Sequence, residues 1–266
     1  MEATSTLRNL ARNAFRPGYL SVMASKLASR VTDRPHAARE RDAIAWAAAR
    51  AHTADDLARA IDPKLWEEAK ELAVRLESAG RDQLAVLEED PHQGAGHAAL
   101  LYFVVRVAEV EVAVETGVAL GFSTAAILSA MRANGRGHLY SSDFPAFRHR
   151  DPERHVGCLV DDNLRDRWTL DLRGDRKALE RIVQLVDRID LFHYDSDKTY
   201  RARERALRRV EPMLAPDAVV IMDDVQDNLF FRDHVAARGV ESEVVDYEGK
   251  YLGIVGLSSA TGKEAG

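Results

Sequence analysis

From Val112 onward the chain alternates short apolar runs with longer stretches of helical periodicity. Val112-Ala-Val-Glu115 is the first such run, and a run of this kind bounded by turn residues reads as a strand buried on both faces. The same pattern predicts strands over His138–Ser142, Trp168–Leu172, Ile189–Tyr194 and Ala218–Met222. Between them, helical spacing predicts helices over Ser123–Ala133, Arg176–Val186, Tyr200–Val210 and Asn228–Arg238. Ser242–Tyr247 and Tyr251–Leu257, separated by Glu248-Gly249-Lys250, predict a closing hairpin. Regular alternation of strand and helix is the pattern of an α/β fold with a mostly parallel sheet covered on both faces.

Upstream the pattern is helical alone. Ala43-Ile-Ala-Trp46 and Trp66–Leu76 are alanine-rich and periodic, and Asp62-Pro63 supplies a helix start. Asp90-Pro-His-Gln-Gly-Ala-Gly96 reads as a joint, and Ala98–Val107 as a helix leading into the first strand. The chain thus divides into a helical N-terminal region (1–90), an α/β domain (91–258) and a short tail (259–266). Arg8, Arg12 and Arg16 are four apart and would share one helix face, which reads as a solvated face or a dimer contact, with contact to an anionic membrane surface or carrier as the alternative. The N-terminal region would either cover a substrate or build a homodimer.

With 266 residues, of which 46% are hydrophobic and 30% charged, the chain is long enough to bury a full core. A formal net charge of −6 sets up no global basic field, which argues against nucleic acid and for a small-molecule partner. The single cysteine, Cys158, excludes an intramolecular disulfide framework and any multi-cysteine zinc site, and fits a reducing cytoplasm. No apolar run approaches bilayer length and no secretory signal pattern opens the chain, so a cytoplasmic protein is expected.

Candidate chemistry sits at the strand ends. Ligands of an open α/β sheet collect outside the carboxyl ends of its strands. Here those ends carry Glu115, Asp143, Gly174-Asp175, Asp195-Ser-Asp197 and Asp223-Asp224, which points to a cofactor and metal crevice. Gly117 and Gly121 let the backbone bend after the first strand, and Ser123 is placed to cap the helix that follows, with its open amides facing a ligand. A dinucleotide-binding turn wants glycines at its first, third and sixth positions, where this chain has Gly117, Ala119 and Phe122. That spacing weighs against an NAD-dependent oxidoreductase, which stays open as an alternative together with a non-catalytic nucleotide-binding protein. Asp143 is placed to accept hydrogen bonds from ribose hydroxyls, and Asp175 to accept one from an adenine amino group or to cap the next helix.

The motif Glu115-x-Gly117-x-x-x-Gly121 resembles the first motif of class I S-adenosylmethionine (SAM) dependent methyltransferases. Ile189–Tyr200 together with Val219–Val225 is similar to the paired segments of the metal-dependent catechol-type and antibiotic-sugar O-methyltransferases. The resemblance implies a Rossmann-like, mostly parallel seven-stranded sheet with a C-terminal antiparallel hairpin. It implies SAM held by Glu115, Gly117, Gly121, Ser123, Asp143 and Asp175, and Mg²⁺ held by Asp195, Asp223 and Asp224. Oxygen-only ligands suit that ion, and three clustered carboxylates without a cation would repel one another. Asp224 stands where catechol-type enzymes carry Asn, which is closer to the sugar-modifying branch. Asp197 and Lys198 are the candidates for taking the acceptor's proton. His193 reads as a core histidine, and His149 and His155 lie in a segment that could form a lid. The implied acceptor is a hydroxyl of a small molecule, a sugar or another secondary metabolite; a metal-independent N- or C-methyltransferase on the same fold is the alternative.

Overall fold

The computed structural model describes Val22, Ser29 and residues 32–87, 97–145, 152–247 and 249–262. Arg8, Arg12, Arg16, His149 and the joint at Asp90–Gly96 lie outside the described residues.

The strands are β1 (Ala51–Thr53), β2 (Val112–Thr116), β3 (His138–Ser142), β4 (Trp168–Asp171), β5 (Ile189–Tyr194), β6 (Leu214–Met222), β7 (Ser242–Tyr247) and β8 (Lys250–Val255). They form one sheet in the order β1-β7-β8-β6-β5-β2-β3-β4. Every pairing is parallel except those of β8, which runs antiparallel to both β6 and β7. The expected seven strands are therefore eight. Ala51-His-Thr53 has no apolar pattern of its own, and becomes a strand because the open edge of β7 offers it partners from Val244 to Asp246. β6 also begins earlier than expected, at Leu214, where it pairs with Ile189 before the register shifts at Leu191.

The helices large enough to matter here are α1 (Glu40–Ala48), α2 (Ala54–Ile61), α3 (Pro63–Leu87), α4 (Ala98–Val107), α5 (Phe122–Ala133), α6 (Asp175–Ile182), α7 (Tyr200–Val210), α8 (Phe230–Arg238) and α9 (Leu257–Thr261). Their starts follow local chemistry. The Thr53 hydroxyl accepts the Asp56 amide at the head of α2, and Asp62 Oδ1 accepts the Lys64 and Leu65 amides beside Pro63 at the head of α3.

Two apolar layers cover the sheet. One joins Trp66 and Ala69 of α3, Leu101 and Val104 of α4, and Ile127 and Leu128 of α5 to Leu139 and Leu191 of the sheet. The other joins Ala47 of α1, Leu179 of α6, Leu207 of α7 and Phe231 of α8 to Phe192 and Val220. Side chains from upstream of residue 90 thus share both layers with the α/β part. β5 is buried at all six positions, Asp190 and His193 among them. β2 is the switch point: β3 lies on one side of it and β5 on the other, so a crevice opens at the carboxyl ends of β2 and β5.

Candidate active site

The turn after β2 packs against the turn after β5. Gly117 has φ +83°, donates its amide to the Ser142 carbonyl at 2.8 Å, and lies so close to the Asp195 backbone that a Cβ there would collide with the Asp195 carbonyl oxygen. The Asp195 amide in turn donates to the Thr116 carbonyl at 2.9 Å. Gly121, at φ +105°, faces Gly157 and Val160, each 3.0 Å from where its Cβ would lie. Both glycines are needed because other backbone lies against them.

Most of the acids on this side are occupied by the protein. Glu115 is 0% exposed and does not open on the crevice; it accepts hydrogen bonds from Ser123 Oγ (2.7 Å), Thr124 Oγ1 (2.7 Å) and Ser141 Oγ (2.8 Å). Ser123 is therefore not the expected cap. Helix α5 begins at Phe122 with Gly121 at its N-cap, so Ser123 lies inside the first turn, and its hydroxyl goes to the buried Glu115 carboxylate. Asp143 Oδ2 accepts the amides of Val118 (3.0 Å) and Ala119 (2.7 Å), and its Oδ1 accepts that of Phe144 (2.5 Å). The amides of Val118 and Ala119, in the turn before α5, are thus taken by Asp143. Burial pushes the Asp143 carboxyl above its ordinary range, with Asp175 adding repulsion, and the three amides do not cancel the effect. Asp175, the first residue of α6, accepts from Ser142 Oγ (2.8 Å) and Ser196 Oγ (2.5 Å).

At the ends of β5 and β6 the arrangement is different. Asp195, Asp223 and Asp224 each offer one carboxylate oxygen within 4.8 Å of the others. The Lys198 ammonium lies among them, touching Asp195 and standing 3.0 Å from Asp224 Oδ2 and 3.5 Å from Asp223 Oδ2. Burial works against the ammonium, but the three acids outweigh it and hold Lys198 well above its usual range. Burial raises Asp195 to about 7, reinforced by Asp223 and opposed by Lys198. Asp223 goes the other way: burial would raise it, but His97, whose Nε2 lies 3.0 Å from Asp223 Oδ1, and Lys198 hold it below the carboxylate range.

His193 is 2% exposed, as expected of a core position, but it also lines the crevice, with Nδ1 3.5 Å from Glu115 Oε1. Burial would lower its pKa, yet Glu115, Asp195 and Asp223 together raise it. Asp197 lines the crevice as well, while its Oδ1 accepts the Thr199 amide at 3.0 Å and its carbonyl accepts Tyr194 Oη at 2.7 Å.

Four residues that sequence reasoning missed hold these loops. His97 follows the segment read as a joint. Asn228 Nδ2 donates to the Lys198 carbonyl (2.7 Å) while its Oδ1 accepts the Phe230 amide (3.1 Å) just before α8. Buried Asp33 accepts the amides of Tyr200 (3.0 Å) and Arg201 (3.4 Å), closing the first turn of α7, and His36 stacks on Tyr200 at 4.0 Å. Arg203 donates to the Asp224 carbonyl at 2.8 Å. No local pattern marks Asp33 or Arg203, because their partners are distant in the chain.

These elements enclose a crevice of ≈ 1230 Å³. Gly117, Gly121, Ser123, Asp143 and Asp175 line one side of it, and Asp195, Lys198 and Asp223 the other; His155 lies on its wall. Residues 114–225, from β2 to just beyond β6, match a family described as a methyltransferase domain. Over this stretch the chain carries a methyltransferase domain. The fold of this methyltransferase is shared with the O-methyltransferase TomG from Streptomyces achromogenes, solved in complex with SAM (15% identity, 68% of this chain and 88% of that one, TM-score 0.55). A methyltransferase from Geobacter sulfurreducens is similar too (23% identity, 67% and 88% covered, TM-score 0.52). So is a putative caffeoyl-CoA O-methyltransferase from Staphylococcus aureus (13% identity, 72% and 98% covered, TM-score 0.52). No curated protein matches the methyltransferase in sequence. No described helix is long and apolar enough to cross a membrane.

Proposed function

We propose that the methyltransferase transfers the SAM methyl group to a hydroxyl oxygen of a small molecule, a sugar or another secondary metabolite, with a divalent cation held by Asp195, Asp223 and Asp224. The observation that carries this reading is the convergence of three carboxylates on one point where the Lys198 ammonium already stands in for a cation. The donor set is all oxygen, which suits Mg²⁺ and leaves positions for water and acceptor oxygens.

Methyl transfer from a sulfonium is an in-line displacement, so the protein's work is alignment and removal of one proton. A crevice of ≈ 1230 Å³ has room for SAM and an acceptor together. A carboxylate has about four acceptor positions. Three of those on Asp143 are filled by amides, leaving one for a ribose hydroxyl. Asp175 borders the crevice where an adenine amino group could reach it. Bound SAM supplies the electrophilic methyl; the cation, when bound, lowers the acceptor hydroxyl's pKa and offsets the acids that otherwise keep Lys198 protonated. Lys198 Nζ is then the group that takes the acceptor's proton, and Asp197 is the second candidate. Glu115 acts from beneath, fixing the Ser123, Thr124 and Ser141 hydroxyls under the cofactor turn.

The same central ammonium supports a second reading, in which Lys198 is the resident cation and the enzyme is a metal-independent N- or C-methyltransferase. Calorimetric titration with S-adenosylhomocysteine and with Mn²⁺, followed by turnover on a panel of polyols, phenols and amines with and without chelator, separates the two. Hydroxyl methylation abolished by chelator is the expected result. Chelator-insensitive methylation of nitrogen or carbon establishes the second reading, and a folded protein that binds no S-adenosylhomocysteine overturns both.

A further inference from the structure

Arg203 sits on α7 with its side chain fully buried, 0% exposed, and it does not line the crevice. Its Nη2 donates to the Asp224 carbonyl oxygen at 2.8 Å. Among the described residues its Nε and Nη1 have no hydrogen-bond partner, and no carboxylate forms an ion pair with it. A buried cation without a paired anion is costly, and an apolar side chain of the same length would fill the space at less cost. What Arg203 does is hold one carbonyl. That carbonyl belongs to a residue in an unusual backbone state: Asp224 has φ 51° and ψ 45°, the left-handed region that non-glycine residues seldom occupy. The Asp224 carboxylate is held as well, Oδ1 accepting from Gln226 Nε2 at 3.1 Å and Oδ2 standing 3.0 Å from Lys198 Nζ.

We infer that Arg203 is a positioning residue of the acid cluster: by clamping the Asp224 carbonyl it fixes the left-handed turn that brings the Asp224 carboxylate to the other two acids. It acts through Asp224 and touches no substrate. The inference rests on the reading of the three acids as cation ligands.

The test uses the full chain with Arg203→Met and Arg203→Lys, comparing Mn²⁺ affinity by calorimetry, S-adenosylhomocysteine affinity, and thermal melting. The Met variant is expected to bind Mn²⁺ about 10–100-fold more weakly, as happens when a group supporting a metal ligand is removed, with S-adenosylhomocysteine affinity changed less than about 2-fold. The Lys variant, which keeps a donor and the charge, recovers part of the loss, and in both the Mn²⁺ requirement for half-maximal turnover rises more than kcat falls. A role in packing alone would not divide the two ligands in this way. Folded variants that retain S-adenosylhomocysteine binding and take Mn²⁺ as tightly as wild type overturn the inference. If the Met variant does not fold, the Lys variant decides; if neither folds, Arg203 is a structural residue and the inference falls. Wild-type protein that binds S-adenosylhomocysteine but no Mn²⁺ overturns the cation reading itself and the inference with it.

Discussion

The two halves of the crevice began with the same signal, an acid at the end of a parallel strand, and treat it in opposite ways. In the β2/β3 half each carboxylate meets neutral donors from its own surroundings: three hydroxyls on Glu115, three amides on Asp143, two serines on Asp175. In the β5/β6 half three carboxylates share one ammonium, with His97 beside Asp223 and Gln226 on Asp224. The first half is saturated and shaped. The second keeps unspent negative charge beside open space. Acidity at a strand end therefore says only that a polar crevice is there; whether the acid builds a loop or waits for a cation depends on the donors folded around it.

Replacing the shared ammonium tests this contrast most severely. Lys198→Met should lower turnover about 10²–10⁴-fold, the usual worth of a positioned proton acceptor. Mn²⁺ affinity should rise, because a competing cation is gone. A fall in both would mean that Lys198 organises the acids instead of competing for them, and the contrast between the halves would be lost. Calorimetry and single-turnover kinetics on one preparation read both quantities.

Gly117 joins the halves, and its substitution should damage both at once. In Gly117→Ala the new methyl meets the Asp195 carbonyl while the backbone is held at φ +83°. Strain of this kind costs on the order of 1–3 kcal/mol. Urea unfolding should show that loss, with both S-adenosylhomocysteine and Mn²⁺ binding weakened. Loss of cofactor binding with intact Mn²⁺ binding would show the halves to be independent.

The smallest effect, and the sharpest in sign, concerns Asp143. Its folded-state pKa is raised by burial, so the folded protein binds its proton more tightly than the unfolded chain does. Stability from this group then falls as pH rises through the window above the ordinary carboxylate value of 3.8. Asp143→Asn removes the buried charge and should be no less stable than wild type at pH 7 by thermal melting, with the difference between them shrinking as the pH falls toward the ordinary carboxylate range. S-adenosylhomocysteine should nonetheless bind about tenfold more weakly, the worth of one charge-assisted hydrogen bond. A variant less stable than wild type at neutral pH would show that the carboxylate's hold on its amides outweighs its burial.

Much of this was legible beforehand. β3, β5 and α7 have the boundaries read from the sequence. The acid cluster was legible because strand-end position is a consequence of topology. β1 was not: its three residues are polar enough to pass for a loop, and only a neighbouring edge makes them a strand. Ser123 misled because the helix starts earlier than its capping residue type suggested, at Phe122 after Gly121, which leaves Ser123 inside the first turn with its hydroxyl on the buried Glu115. His97 and Arg203 were invisible because each acts on a partner far along the chain, and spacing rules describe only near neighbours.

Asp33 has a consequence for time as well as space. The turn that carries Lys198 is finished by a carboxylate 167 positions upstream, so it cannot close until most of the chain has been made and gathered. Closing so long a loop belongs to the last stage of assembly. During synthesis a ribosome would release a chain whose earlier strands can already pair while this turn is still open, and Lys198 would reach its place only when the two distant stretches finally meet.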